Sequence, residues 1–428
     1  EDKFNEMLKK FTNKLYGQDA DIESLLSLLL IFNFICEAKF EKRIVIDDRS
    51  KQIFSDNIKN IADDVFQFLI FMINKLHSLD DNTLKRFISD EILETINNYL
   101  YIDFDDNVIF KFNNEYLPII DFIFQINEEN LDKHAESICS LFDLPLQENN
   151  MQNLSQVIFS KILVFKDILY KSFESIDDEQ ASFYIDIFSS MIGNNLEELI
   201  DENRLDFFQV ILDLTKKCPS NKIGSIVDFF NHLTCYLLDN KELYADKIKN
   251  FKNLFGILVL NFIGLSKLED ETFSKLNIKK TKALKDDDEY NMTLDFREAA
   301  KEIMTNYIDL YGFNSIFNEI LFPEFKKVVL KIKENQQNIN NWSKMENLLY
   351  IFSCICKYAK QDAPSFENIE ILFHTMFDIP KDYVQIIRTV TDIIDNCSSL
   401  LSKDKDLLFK GFKYLINGLD SDLVVKYC

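Results

Sequence analysis

Helix-breaking residues are scarce in this chain, whose 428 residues include only 8 glycines and 6 prolines. Strand-rich domains need turn residues roughly every 8 to 12 positions, and phosphate-cradling loops need clustered glycines, so neither supplies the main architecture. What remains is long helices joined by short polar turns. One compact core rarely grows past about 250 to 300 residues, and no composition shift or Pro/Gly/Ser-rich linker divides the sequence. The expectation is a single continuous stack over residues 1–428, each element resting on its neighbours.

Acidic residues number 71 against 48 basic ones, a net charge of −23. That excess repels phosphate backbones and anionic lipid and attracts basic protein surfaces, so no direct nucleic-acid binding is expected. The longest apolar stretches, Leu25–Cys36 and Leu254–Leu265, fall short of the roughly 18 residues of a membrane span, and each contains Asn, so no membrane segment is expected either. The 8 cysteines are scattered. The closest two, Cys354 and Cys356, point to different faces of a helix and cannot chelate as a CxxC pair does, which predicts buried free thiols in a reducing compartment. The chain starts at Glu1 without an initiator Met, as a piece of something longer would.

At the 3.6-residue period, Leu25, Leu28, Leu29, Phe32 and Cys36 form one stripe of a helix near 21–38. The same reading gives helices near 50–77, 81–100, 114–126, 130–143, 152–174, 178–200, 203–217, 221–239 and 242–265, then 294–311, 313–335, 341–360, 365–377, 381–398 and 403–418. Asp201 to Asn203 offer a capping cluster before Leu205, and Gly312 stands where a glycine closes a helix; Pro380 and Gly418 punctuate likewise. Helix pairs recur at roughly 40 to 47 residues, on the order of eight or nine of them, which is HEAT or armadillo spacing. This predicts an all-α fold, a right-handed α-solenoid of HEAT-type antiparallel helix pairs, with the 40 Phe residues filling the seams. Residues 266–293, dense in charge and basic from Lys275 to Lys285, read as a charged inter-repeat loop.

Chemistry-bearing patterns are missing. His77, His134, His232 and His374 lie far apart with no second ligand at i+4, and the phosphate-loop, GxSxG, HExxH and EF-hand spacings do not occur. Paired carboxylates such as Asp63-Asp64 and Glu197-Glu198 read as solvated faces. The sequence predicts a binding scaffold, with no enzyme activity, cofactor or metal site.

From about Leu205 onward the order of landmarks resembles the importin-β (karyopherin-β) family of nuclear transport receptors, in the branch containing transportin-SR. The landmarks are a helix, the Cys218-Pro219 turn and a helix with Phe229 and Phe230, then Asp295-Phe296-Arg297-Glu298 opening a helix that ends near Gly312. They continue with Trp342 and Glu346 ahead of Leu349, Phe352, Ile355 and Lys357, then Ile379-Pro380, Thr389, and Tyr414 to Leu419 with Gly418. The match covers roughly half of the chain, and residues 20–204 follow the same architecture more loosely.

The resemblance implies the middle portion of a receptor that shuttles between cytoplasm and nucleus, binds basic, SR-type protein cargo, meets the FG repeats of nucleoporins and releases its load to Ran-GTP. It places Asp286, Asp287, Asp288, Glu289 and Asp295 in an acidic loop that faces Ran or cargo. As residues, these acids also read as a solvated loop. Trp342 reads as filling a gap between repeats, Glu346 as capping or pairing locally, Phe296 as packing, and Arg297 as pairing with an acid in the next repeat. Three other functions compete: a HEAT scaffold subunit of another complex, an exportin of the same family, and an α/α-barrel enzyme, the last disfavoured by the missing metal ligands.

Overall fold

The computed structural model describes residues 21–40, 48–100, 131–142, 173–217, 222–278, 288–359, 366–380, 383–402 and 404–418, with shorter pieces between 102 and 125 and between 160 and 171. Among the described residues every regular element is helical. The chain divides into two compact units, Glu1–Asn194 and Asn195–Cys428, at a point where composition gives no sign of a boundary.

The first unit contains α1 (Ile22–Phe40), α2 (Asp48–Leu76), α3 (Asn82–Leu100), α4 (Leu117–Ile123), α5 (Leu131–Phe142) and α6 (Asp178–Asn194). One layer runs α1, α3, α5, α6, each packed on the next, and α2 lies across α1, α3 and α4. The apolar stripe of α1 forms as its spacing dictates, with Leu25, Leu28, Leu29, Phe32 and Cys36 all buried. Acidic residues start the helices: Asp81 Oδ1 accepts from the Thr83 amide at 2.8 Å, and Asp177 and Gln180 cap each other reciprocally at 2.8 and 3.3 Å. Buried rings fill the seam, Phe66 lying within 5.2 Å of both Phe112 and Tyr116 by ring centroids.

The second unit contains α7 (Leu196–Asp201), α8 (Leu205–Leu214), α9 (Ile223–Asp239), α10 (Ala245–Leu265), α11 (Asp270–Ile278), α12 (Asp288–Tyr311), α13 (Phe313–Ile316), α14 (Phe322–Glu334), α15 (Ile339–Ile355), α16 (Phe366–Phe377), α17 (Val384–Asn396), α18 (Ser398–Leu401) and α19 (Lys405–Gly418). Here α9, α12, α15 and α17 form one ladder; α10 sits on α12, α14 on α15, and α19 on α16 and α17. Both units are thus layered stacks of helix pairs, and most boundaries lie within a few residues of the sequence reading.

Three expectations are corrected. Residues 266–293 are not one loop: α11 occupies Asp270–Ile278 and α12 begins at Asp288 rather than near 294. Leu268, Thr272, Phe273 and Leu276 are buried along one short stripe that the surrounding charges obscure. The 201–203 cluster does not cap α8. Instead Asn203, at φ 55°, ends α7 in a left-handed closing motif, with the Arg204 amide on the Leu199 carbonyl at 2.8 Å and the Asn203 amide on that of Ile200 at 3.1 Å. Among the described thiols Cys36, Cys356 and Cys397 are buried, but Cys235 is exposed on α9.

At 21 residues, α10 is long and apolar enough to cross a bilayer, which the shorter stretch counted from Leu254 was not. In the fold, Phe251, Phe255, Leu258, Val259 and Phe262 are buried as it packs on α8 and α12. At its start, Lys247 and Lys252 pair with Asp201 and Glu319 at 2.5 and 2.8 Å. That is the composition of a core helix with a charged end.

Candidate functional site

Two features of the second unit meet on α15. The first is a cleft of about 350 Å³. Its walls are Val329, Ile332 and Lys333 of α14 and His374, Thr375 and Asp378 at the end of α16, with Ile379 and Pro380 following; Trp342 and Met345 form its floor. Trp342 is only 4% exposed, because its ring stacks on Tyr383 at 4.5 Å between centroids and its indole N–H donates to the Gln336 carbonyl at 2.7 Å. An apolar floor with a lysine on one wall and an aspartate on the other suits an apolar side chain carried on a polar backbone. At the rim, the Lys410 ammonium lies 3.0 Å from His374 Nδ1.

The second feature lies one turn further along α15. Glu346 is fully buried and accepts from Arg297 of α12, at 2.5 Å from Nη2 and 3.3 Å from Nη1, and from the Thr389 hydroxyl of α17 at 2.9 Å. Arg297 also donates through Nε to the Ser266 carbonyl at 3.1 Å and lays its guanidinium 4.5 Å from the centre of the Tyr350 ring. Around this pair the Ser343 hydroxyl reaches the Leu268 carbonyl at 2.6 Å and the Asn347 amide the Ile263 carbonyl at 2.6 Å. Arg297 and Glu346 thus enter the interior as a matched, hydrogen-bonded pair, as burial of charge requires.

The structure therefore brings together four residues singled out from the sequence, in two pairs. Trp342 and Pro380 line the cleft; Arg297 and Glu346 form the ion pair. The expectation that Glu346 pairs locally is corrected, since its partner lies 49 positions away. Phe296 is buried, Asp295 is exposed on α12, and Gly418 is the last residue of α19. Asp286 and Asp287 lie outside the described residues, as do the side chains of Asp288 and Glu289. Sequence reasoning missed Lys333, Asp378 and Thr389 in these roles; Thr389 follows an apolar pattern of Val384, Ile386 and Ile387 that buries it, which was the available signal.

His134 shows what a histidine does elsewhere in this fold. It is 4% exposed, its Nδ1 is 2.8 Å from the Ile123 carbonyl, and burial holds its pKa below the ordinary 6.5. Among the described residues no group of three or more His, Cys, Asp or Glu side chains could hold a metal.

Layered helix pairs with these breaks define an all-α solenoid of the HEAT type. Among solved structures the chain is similar to Importin13 in its cytosolic state, with a TM-score of 0.74 and 12% identity over 97% of this chain and 49% of that one. The chain thus spans about half the length of that protein, and at such identity the likeness shows the fold alone. A structure concerning the interaction between cadherin and beta-catenin (TM-score 0.29, 11% identity, 98% of this chain and 89% of that one) and an engineered protein (0.28, 12%, 97% and 95%) are too distant to carry an argument. No protein-family model and no curated protein matches the sequence.

Proposed function

We propose that this chain is a karyopherin-like transport receptor, and the observation that carries the reading is the importin-type fold over 97% of its length. Its acidic surface is suited to basic cargo, with SR-type proteins as the first candidates, and Ran-GTP binding releases the load. The cleft over Trp342 is of a size and polarity for short apolar segments such as nucleoporin FG repeats. Asp295, with Asp286, Asp287, Asp288 and Glu289, is assigned to the Ran- or cargo-facing surface. The protein works without a cofactor, is not an enzyme, and moves between cytoplasm and nucleus.

The test is binding of this chain to immobilised Ran loaded with GTP or with GDP, in the presence and absence of an arginine/serine-rich peptide. Preference for the GTP form with loss of the peptide is the expected result. Preference for the GTP form with gain of the peptide turns the reading to an exportin. Indifference to the nucleotide turns it to a HEAT scaffold of another complex.

A further inference from the structure

Helices of three successive pairs converge on one carboxylate. From α15, Glu346 reaches Arg297 of α12 and Thr389 of α17, with Gln385 Nε2 of α17 at 3.5 Å as a longer fourth contact. The backbone N–H of Gln385 donates to Asn277 Oδ1 of α11 at 3.0 Å. One turn before Glu346, Trp342 stacks on Tyr383, the residue preceding α17. The α15 rod is therefore fastened to α17 at two heights, once beneath the cleft and once at the ion pair.

A purely apolar seam lets packed helices slide by small side-chain adjustments. This junction cannot, because withdrawing α12 or α17 strips donors from a charge with no access to water, the costliest outcome for a buried ion pair. The geometry points to a conformational device: the Arg297–Glu346–Thr389 node locks α12, α15 and α17 into one block that opens as a unit and keeps the floor of the cleft preformed. Changes of curvature inside this unit then fall on the pairs flanking the block. The proposal does not depend on what occupies the cleft, so it stands or falls separately from the transport role.

The test combines amide hydrogen exchange of the whole chain in low urea with acrylamide quenching of Trp342, its only tryptophan. Amides near Arg297, Glu346 and Thr389 are expected to share one opening equilibrium. Glu346→Gln, which keeps the shape and removes the charge, speeds all three by the same factor, roughly 100-fold or more. It also makes Trp342 accessible to quencher, while α9 and α19 are unchanged. Thr389→Val, a milder change that keeps the fold, speeds the same three helices by about tenfold. Faster exchange confined to α17 in that variant, separate openings of the three helices in the unaltered chain, or an equal response from α9 and α19 would each overturn the block.

Discussion

Arg297 has a partner for each part of its head group: Glu346 for both Nη atoms, the Ser266 carbonyl for Nε and the Tyr350 ring for its plane. Arg297→Lys keeps the charge but cannot reproduce the fork or the stacking, so it is expected to destabilise this unit by about 2 to 3 kcal/mol in urea titrations followed by Trp342 fluorescence. Replacing both partners, Arg297→Met with Glu346→Leu, is expected to cost less than either single change, because no unpaired charge is left behind. In the other unit, His134 titrates below its ordinary 6.5 when folded, since burial outweighs the help of the Ile123 carbonyl. Below that pH the unfolded state takes up a proton that the folded state refuses. The stability His134 supplies is therefore full above about pH 6.5 and drains away as pH falls toward its folded value. His134→Gln should flatten the pH dependence of thermal unfolding between about pH 7 and about pH 5. Sequence reading goes far here: the family resemblance singles out Arg297 and Glu346 separately, and Arg297 reads as pairing with an acid in the next repeat. Which partner, across 49 positions, is set by how α12 lies on α15, and no local pattern carries that.

Local backbone chemistry sets where the helices end. Gly312 closes α12 at φ 83° and ψ 157°, a conformation open essentially to glycine, and its amide returns to the Ile308 carbonyl at 2.8 Å. No atom lies within 4 Å of the position a Cβ would take, so the penalty of Gly312→Ala is backbone strain and not a clash. That substitution is expected to cost about 1 to 2 kcal/mol, read as a lower midpoint of thermal unfolding by circular dichroism. Just beyond, Phe317–Leu321 widens into a π turn ahead of Pro323, which has no N–H for the ladder to continue with. Long helices were legible because periodicity averages over many turns: 81–100 was expected and Asn82–Leu100 forms, 365–377 was expected and Phe366–Phe377 forms. The short α11 was not, because its stripe spans little more than two turns among Asp270, Glu271 and Lys275, and its burial comes from α15 and α17 far along the chain.

For the whole molecule, scarcity of glycine and proline decided the fold class, and charge decides what can approach it. Part of the acidic excess is spent inside the fold: Asp21, Asp81, Asp177 and Asp404 accept backbone amides at helix starts, and Asp63, Asp201 and Glu319 pair with lysines distant in sequence. Much of the rest is exposed, including Asp228 of α9 and Asp295, Glu298 and Glu302 of α12. Exposed charge raises encounter rates with an oppositely charged partner and is screened within about 8 Å at physiological salt, whereas an apolar cleft is indifferent to ions. If the proposed basic cargo is recognised through this surface, raising salt from about 0.05 to about 0.5 M should weaken binding of an arginine-rich peptide by more than tenfold, mainly by slowing association. Charge reversal by Asp295→Lys with Glu298→Lys should reproduce that loss at low salt and leave the unfolding midpoint nearly unchanged, since both side chains face solvent. Affinity that persists through the salt series would instead shift recognition to the cleft over Trp342, where Met345→Asp should then abolish it.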